Sequence, residues 1–194
     1  MFTSVCVFCG SNPGTGEVYA QAAKRMGRLL AERGLELVYG GSKLGLMGIL
    51  ADACLEAGGR VVGVIPRALV EKEIAHTGIS ELHSVDSMHA RKALMADKAD
   101  AFIAMPGGYG TWEEFCEVLT WSQLGLQRKP CGVLNVNGYY EPMLAMADRA
   151  VAEGFLKSEH RTLLLAETDP EELLKRLERV PVPALEKWID RRNR

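Results

Sequence analysis

The stretch Pro106-Gly107-Gly108-Tyr109-Gly110-Thr111-Trp112-Glu113-Glu114 gathers residue types that can do chemistry on an anion. It follows Ala101-Phe102-Ile103-Ala104-Met105, which reads as a buried strand, and it precedes Phe115, Val118 and Leu119 at helical spacing. The glycines therefore fall where a strand hands over to a helix. Glycine lets the backbone turn sharply and leaves no Cβ in a ligand's way. The first turn of the helix directs unpaired N–H groups, at the positive end of its dipole, into the same space. Such a junction binds phosphate. With the carboxylates of Glu113 and Glu114 beside it, the arrangement predicts chemistry on a phosphorylated substrate rather than storage of one. A simpler reading competes: Thr111 followed three residues later by Glu114 is a capping box, in which Glu114 turns back onto the helix start.

A second basic motif, Ser87-Met88-His89-Ala90-Arg91-Lys92, opens the preceding helix. Cations in a first turn sit at the wrong end of the dipole, so Arg91 and Lys92 point to an anion, against the alternative of a solvated basic pair. Arg91 has the planar fork suited to a bidentate contact. His89 is read as capping or packing. Cys6 and Cys9 form a C-x-x-C pattern, but on a strand an offset of three places them on opposite faces, as core residues rather than a redox pair. No second Cys or His pair has metal-ligand spacing. The first strand is followed by Gly10-Ser11-Asn12-Pro13 rather than G-x-G-x-x-G, and G-x-x-x-x-G-K-[ST] is missing. Both observations argue against an NAD enzyme or an ATPase and favour a mononucleotide or sugar phosphate.

These motifs need a scaffold, and periodicity supplies one. Strands are predicted at 3–9, 35–39, 60–65, 81–85, 101–105, 130–136 and 163–166. Helices are predicted at 16–32, 45–57, 87–98, 111–123, 140–153 and 170–179, the last capped by Asp169. Regular alternation predicts an α/β, Rossmann-like fold with a largely parallel central sheet and helices on both faces. One domain is expected over 1–180, with a tail at 181–194. Gly10-Ser11, Gly40-Gly41 and Gly107-Gly108 each follow a strand, and ligands bind such sheets at the carboxyl ends of strands. The three turns are expected to converge on one crevice. The 194 residues are 47% hydrophobic with a formal net charge of −2, which leaves no global field for nucleic acid or an anionic membrane. Five scattered cysteines argue against a disulfide framework. No leader pattern precedes Val5-Cys6-Val7-Phe8 and no apolar run reaches membrane-spanning length, so a cytoplasmic location is expected.

Taken together, Ser87-Met88-His89-x-Arg91-Lys92 and Pro106-Gly107-Gly108-x-Gly110-Thr111-x-x-Glu114 resemble the paired signature of the LONELY GUY family. The family comprises cytokinin riboside 5′-monophosphate phosphoribohydrolases, and its relatives were long mislabelled lysine decarboxylases. Similarity runs over about residues 3–165 and includes Tyr39-Gly40-Gly41, Gly45-Leu46-Met47-Gly48, Gly63-Val64-Ile65-Pro66, Thr120-Trp121-x-Gln123-Leu124-Gly125 and Asn137-Gly138-Tyr139-Tyr140. Ser42 departs from the pattern, since many relatives carry a third glycine there. The resemblance implies hydrolysis of the N-glycosidic bond of an adenosine 5′-monophosphate, N6-prenylated or plain. It makes Glu114 the carboxylate that stabilises the ribosyl cation and orients water, and Arg91 the residue that holds the substrate and assists the departing base. Gly107, Gly108, Tyr109, Gly110 and Thr111 would cradle the 5′-phosphate, with Lys92 adding charge. Met88, Glu73, Glu113 and Thr120 would contribute to substrate binding. No cofactor or metal is implied. A homodimer or larger homo-oligomer is, with Trp112, Trp121, Leu124 and Leu126 either supplying its apolar face or belonging to the core.

Two other functions compete. A general AMP nucleosidase would use the same residues. A carrier of the same fold would bind a nucleotide-like cofactor without turning it over, but it would not need Arg91 and Glu114. A lysine decarboxylase would need a lysine in a recognisable cofactor setting, and none is found.

Overall fold

A computed structural model describes residues 2–72 and 74–180; Glu73 and the tail 181–194 lie outside the described residues. The chain forms seven strands, β1 (Ser4–Phe8), β2 (Glu36–Tyr39), β3 (Val61–Pro66), β4 (Glu81–Val85), β5 (Ala101–Ala104), β6 (Cys131–Leu134) and β7 (Leu164–Glu167). They make one sheet in the order β4-β3-β2-β1-β5-β6-β7, and every neighbouring pair is parallel. The helices are α1 (Glu17–Glu32), α2 (Gly45–Glu56), α3 (Arg67–Val70), α4 (Met88–Lys98), α5 (Tyr109–Gln123), α6 (Glu141–Ala152), α7 (Ser158–Arg161) and α8 (Pro170–Arg179).

Strands β1, β3, β5 and β6 are buried at every residue because helices cover both faces of the sheet. On one face Val5, Val7, Leu37 and Val61 pack with Met26 and Leu30 of α1, Leu50 of α2 and Leu173 of α8. On the other, Cys6, Phe8, Val38 and Val64 pack with Met95 of α4, Phe115 of α5 and Tyr140 at the start of α6. Cys6 and Cys9 belong to opposite faces, as a strand offset of three requires.

The chain builds outward from β1 through β2 and β3 to β4, then crosses back to lay β5, β6 and β7 on the other side. Strand order therefore reverses between β1 and β5, where such sheets open a ligand crevice. The loops leaving these two strands touch: the Gly10 N–H donates to the Pro106 carbonyl at 3.0 Å.

Helix α5 differs from the expectation. It begins at Tyr109 with Gly108 as its N-cap, two residues before the predicted start, and no side chain caps it. The capping box of Thr111 and Glu114 does not form. Helices α3 and α7 were not foreseen, since each spans four residues, too few for periodicity to register. Between β6 and α6 a 3₁₀ turn over Val136–Gly138 carries Asn137 at φ 52°.

Candidate active site

Ser87 caps α4, its Oγ accepting from the Ala90 N–H at 3.1 Å. That start fixes the helix phase so that Arg91 turns inward, to 9% exposure. Its Nε donates to the Val64 carbonyl of β3 at 3.0 Å, Nη1 donates to Glu114 Oε1 at 2.9 Å, and Nη2 reaches the Gly40 carbonyl at 3.4 Å. A Cβ on Gly40 would lie 2.0 Å from Nη2, so only glycine at this position admits the guanidinium. Three of the five guanidinium N–H groups are thereby used, which leaves two for a ligand.

Glu114 comes from α5 and is 7% exposed. Burial pushes its carboxyl above the usual carboxylate range, the Arg91 guanidinium pulls it back, and Glu113 and Glu117 push it up again against Lys92. A buried carboxylate held against one arginine can stabilise a developing cation and accept a proton from water.

The glycine loop closes the other wall. A Cβ on Gly107 would meet Thr111 Oγ1 at 2.1 Å and the Gly10 amide nitrogen at 2.9 Å. Helical bonding in α5 starts with Trp112 N–H to the Gly108 carbonyl. The N–H groups of Tyr109, Gly110 and Thr111 precede it and have no acceptor within the helix. Free N–H groups at a helix start, with the dipole behind them, are able to seat an anion.

Two tyrosines hold that loop. The Tyr139 hydroxyl donates to the Gly107 carbonyl, and the buried Tyr140 hydroxyl donates to the Met105 carbonyl at 2.8 Å. Both come from the turn after β6, where Asn135 accepts the Tyr140 N–H at 2.7 Å and donates to Glu141 at 2.6 Å. With these carbonyls tied back, the amides of the loop are left to face the crevice. The sequence reading had no role for either tyrosine. The one signal was two adjacent tyrosines after Asn137-Gly138.

The other expected residues fall differently. Lys92, foreseen as added charge for a phosphate, pairs with Glu113 at 2.6 Å and Glu117 at 3.0 Å. Glu113, foreseen as a binding residue, is engaged in that pair. Thr120 donates to the Cys116 carbonyl of its own helix at 2.8 Å and lines a separate groove between α5 and α6. Met88 and Tyr109 are exposed at the starts of α4 and α5, Tyr109 edge-on to Trp112. Glu73 lies outside the described residues.

The groove encloses about 910 Å³ and is lined mainly by apolar side chains, among them Trp112, Leu119, Met143, Met146, Ala147 and Leu156. Of the residues considered for a dimer face, Trp112, Leu124 and Leu126 are exposed, whereas Trp121 packs against the core. Among the described residues, no helix is long and apolar enough to cross a membrane.

Comparison with known proteins converges with this geometry. Residues 47–177 match the family model described as possible lysine decarboxylase. A cytokinin riboside 5′-monophosphate phosphoribohydrolase of Rhodococcoides fascians is 55% identical over 169 residues, 87% of this chain and 85% of that protein. A probable enzyme of the same name from Oryza sativa subsp. japonica is 51% identical over 91% of this chain and 79% of its own length. Among solved structures, a molybdenum cofactor binding protein from Rippkaea orientalis superposes with a TM-score of 0.70 at 18% identity, covering 92% of this chain and 96% of that one. The Moco carrier protein of Chlamydomonas reinhardtii gives 0.68 at 20%, covering 92% and 96%. At those identities the two structures speak for the fold alone. With about half its residues identical to these phosphoribohydrolases over most of their length, the chain belongs to the LONELY GUY family, the one whose model carries the description possible lysine decarboxylase.

Proposed function

We propose that this protein hydrolyses the N-glycosidic bond of adenosine 5′-monophosphates, plain or N6-prenylated, releasing the free base and ribose 5-phosphate. The observation that carries the reading is the buried Arg91–Glu114 pair beside a glycine loop and a helix N-terminus. The 5′-phosphate sits on the amides of Gly108 to Thr111, which places the ribose toward Glu114. The C1′–N9 bond breaks with its electron pair passing to the base, and positive charge develops on the ribose ring. The Glu114 carboxylate faces that charge and orients water. Water gives its hydroxyl to C1′ and, through Glu114, the proton that the departing base takes up. Arg91 holds Glu114 in place and offers its remaining N–H groups to the substrate. The names of relatives about half identical to this chain support the same reaction.

A carrier function has one observation in its favour, the fold shared with molybdenum cofactor carriers. A carrier has no use for a carboxylate buried against an arginine at the mouth of the crevice, and the hydrolase reading accounts for it. We also propose that two copies associate through the α5–α6 face, whose exposed apolar residues, Trp112 at 40% and Met146 at 76%, suit a dimer seam.

The test is a product assay. AMP and isopentenyladenosine 5′-monophosphate are incubated separately with wild type, Arg91→Ala and Glu114→Gln, and base and ribose 5-phosphate are separated by chromatography. Release by wild type, reduced at least about 100-fold in both folded variants, is the expected result, and the ratio of the two substrates identifies the preferred base. Tight nucleotide binding without release from either substrate would replace the hydrolase with the carrier.

A further inference from the structure

Two consecutive residues of α4 pair with consecutive turns of α5. Arg91 meets Glu114 at 2.9 Å, while Lys92 meets Glu113 at 2.6 Å and Glu117 at 3.0 Å. The Lys92 side chain is only 10% exposed, and two carboxylates converge on its ammonium. A lysine kept for a substrate phosphate would present a free ammonium to the crevice. This one is spent within the protein: burial opposes its charge, but the hydrogen bonds it donates to Glu113 and Glu117 outweigh that and hold its pKa above the ordinary value. Glu113 and Glu117 flank Glu114 on the same helix and push its carboxyl up, and the ammonium is paired with both of them.

We propose that Lys92 is a positioning residue, which with Glu113 and Glu117 bolts α4 to α5 and sets the charge state of Glu114. Among the described residues, the charged and titratable groups bearing on Glu114 come from three elements. Arg91 and Lys92 come from α4, Glu113 and Glu117 from α5, and Cys6 and Cys9 from β1 and its end. Burial pushes both cysteines up, so they remain neutral thiols. The balance on Glu114 is therefore one arginine and one lysine against two glutamates, and Lys92 is the member that offsets those glutamates. The inference rests on the reading of Glu114 as the reacting carboxylate.

The discriminating experiment exploits the two ends of one ion pair. The Glu114 carboxyl is titrated by ¹³C NMR in wild type, Lys92→Met and Glu117→Gln, assigned by difference from Glu114→Gln. The pH profile of kcat/KM for AMP is recorded on the same proteins. Removing the ammonium leaves two bare carboxylates beside Glu114, and its titration moves up by about one pH unit. The acid limb of the profile follows, so that activity on that limb drops about tenfold. Removing Glu117 takes away a like charge, and the titration moves down. Opposite shifts are the expected result. A merely structural pair would be weakened by either variant in the same way, so shifts of the same sign overturn the proposal. A Lys92→Met variant that raises KM for AMP, weakens inhibition by ribose 5-phosphate and leaves the titration in place would make Lys92 a phosphate contact, and also overturns it. Should wild type release no base while the carboxyl still shifts in opposite directions, the hydrolase reading fails and the control of Glu114 stands.

Discussion

Arg91 and Glu114 are each less than a tenth exposed, so removing either partner strands a charge in the interior. Arg91→Ala is expected to cost about 3–5 kcal/mol of stability, measured by denaturant unfolding at neutral pH. Glu114→Gln keeps an oxygen for the Arg91 N–H and should cost less. Its effect depends on pH with a definite sign. Burial raises the folded pKa of Glu114 above its unfolded value, so the native state binds the extra proton between the two. Stability from this group is present below the unfolded pKa of about 4.3 and is lost as pH rises through the folded value. The difference in Tm between Glu114→Gln and wild type should move in the variant's favour across that window. A difference that moves the other way would mean that Arg91 dominates over burial. At this scale the motif residues were legible because their types are unusual for where they lie, an arginine at a helix start and a glutamate after glycines. Their mutual contact was not, since 23 residues separate them and only the β5 crossover brings them together.

Helix α5 and the turn after β6 decide the shape of the loop. The Tyr140 hydroxyl is buried and bonded to the Met105 carbonyl. Tyr140→Phe leaves that carbonyl unpaired and is expected to cost about 1–2 kcal/mol in unfolding experiments. Tyr139→Phe is expected to act on the site rather than on the fold, because Tyr139 is half-buried and grips Gly107 itself. The loop amides then lose their fixed direction, so KM for AMP should rise several-fold while kcat changes less. Equal losses in kcat and kcat/KM would assign Tyr139 to the chemistry instead. Neither tyrosine could be placed from the sequence, because hydrogen bonds to carbonyls more than 30 residues away have no periodic trace. The start of α5 was misplaced for a related reason: Thr111 and Glu114 satisfy the local pattern of a capping box, and a tertiary partner, Arg91, outcompetes it for Glu114.

At the scale of the molecule, the reversal of strand order between β1 and β5 puts the Gly10 and Gly107 loops side by side, at the place where such sheets open a ligand crevice. The α5–α6 face is separate from that crevice and apolar, which supports association of two copies. Met146→Glu places a charge on an exposed part of the groove, away from Arg91 and Glu114. Sedimentation velocity should show the variant as a monomer at concentrations where wild type is a dimer. An unchanged sedimentation coefficient would move the interface elsewhere.

The sequence by itself determined the alternation of strands and helices, the Rossmann-like class and the identity of the two motifs. Each is carried by local periodicity or by residue types within a few positions, and local signals survive in one dimension. It also carried the Asp169 cap, whose side chain does bond the helix start it precedes. Only the tertiary structure decided what each charged residue faces. Glu113 and Glu114 are neighbours in the chain, yet Glu114 turns to Arg91 in the interior and Glu113 to Lys92 nearer the surface, because successive helical residues diverge by about 100°. Partnership between side chains is a property of packed helices, and it is set by how α4 and α5 lie across the sheet.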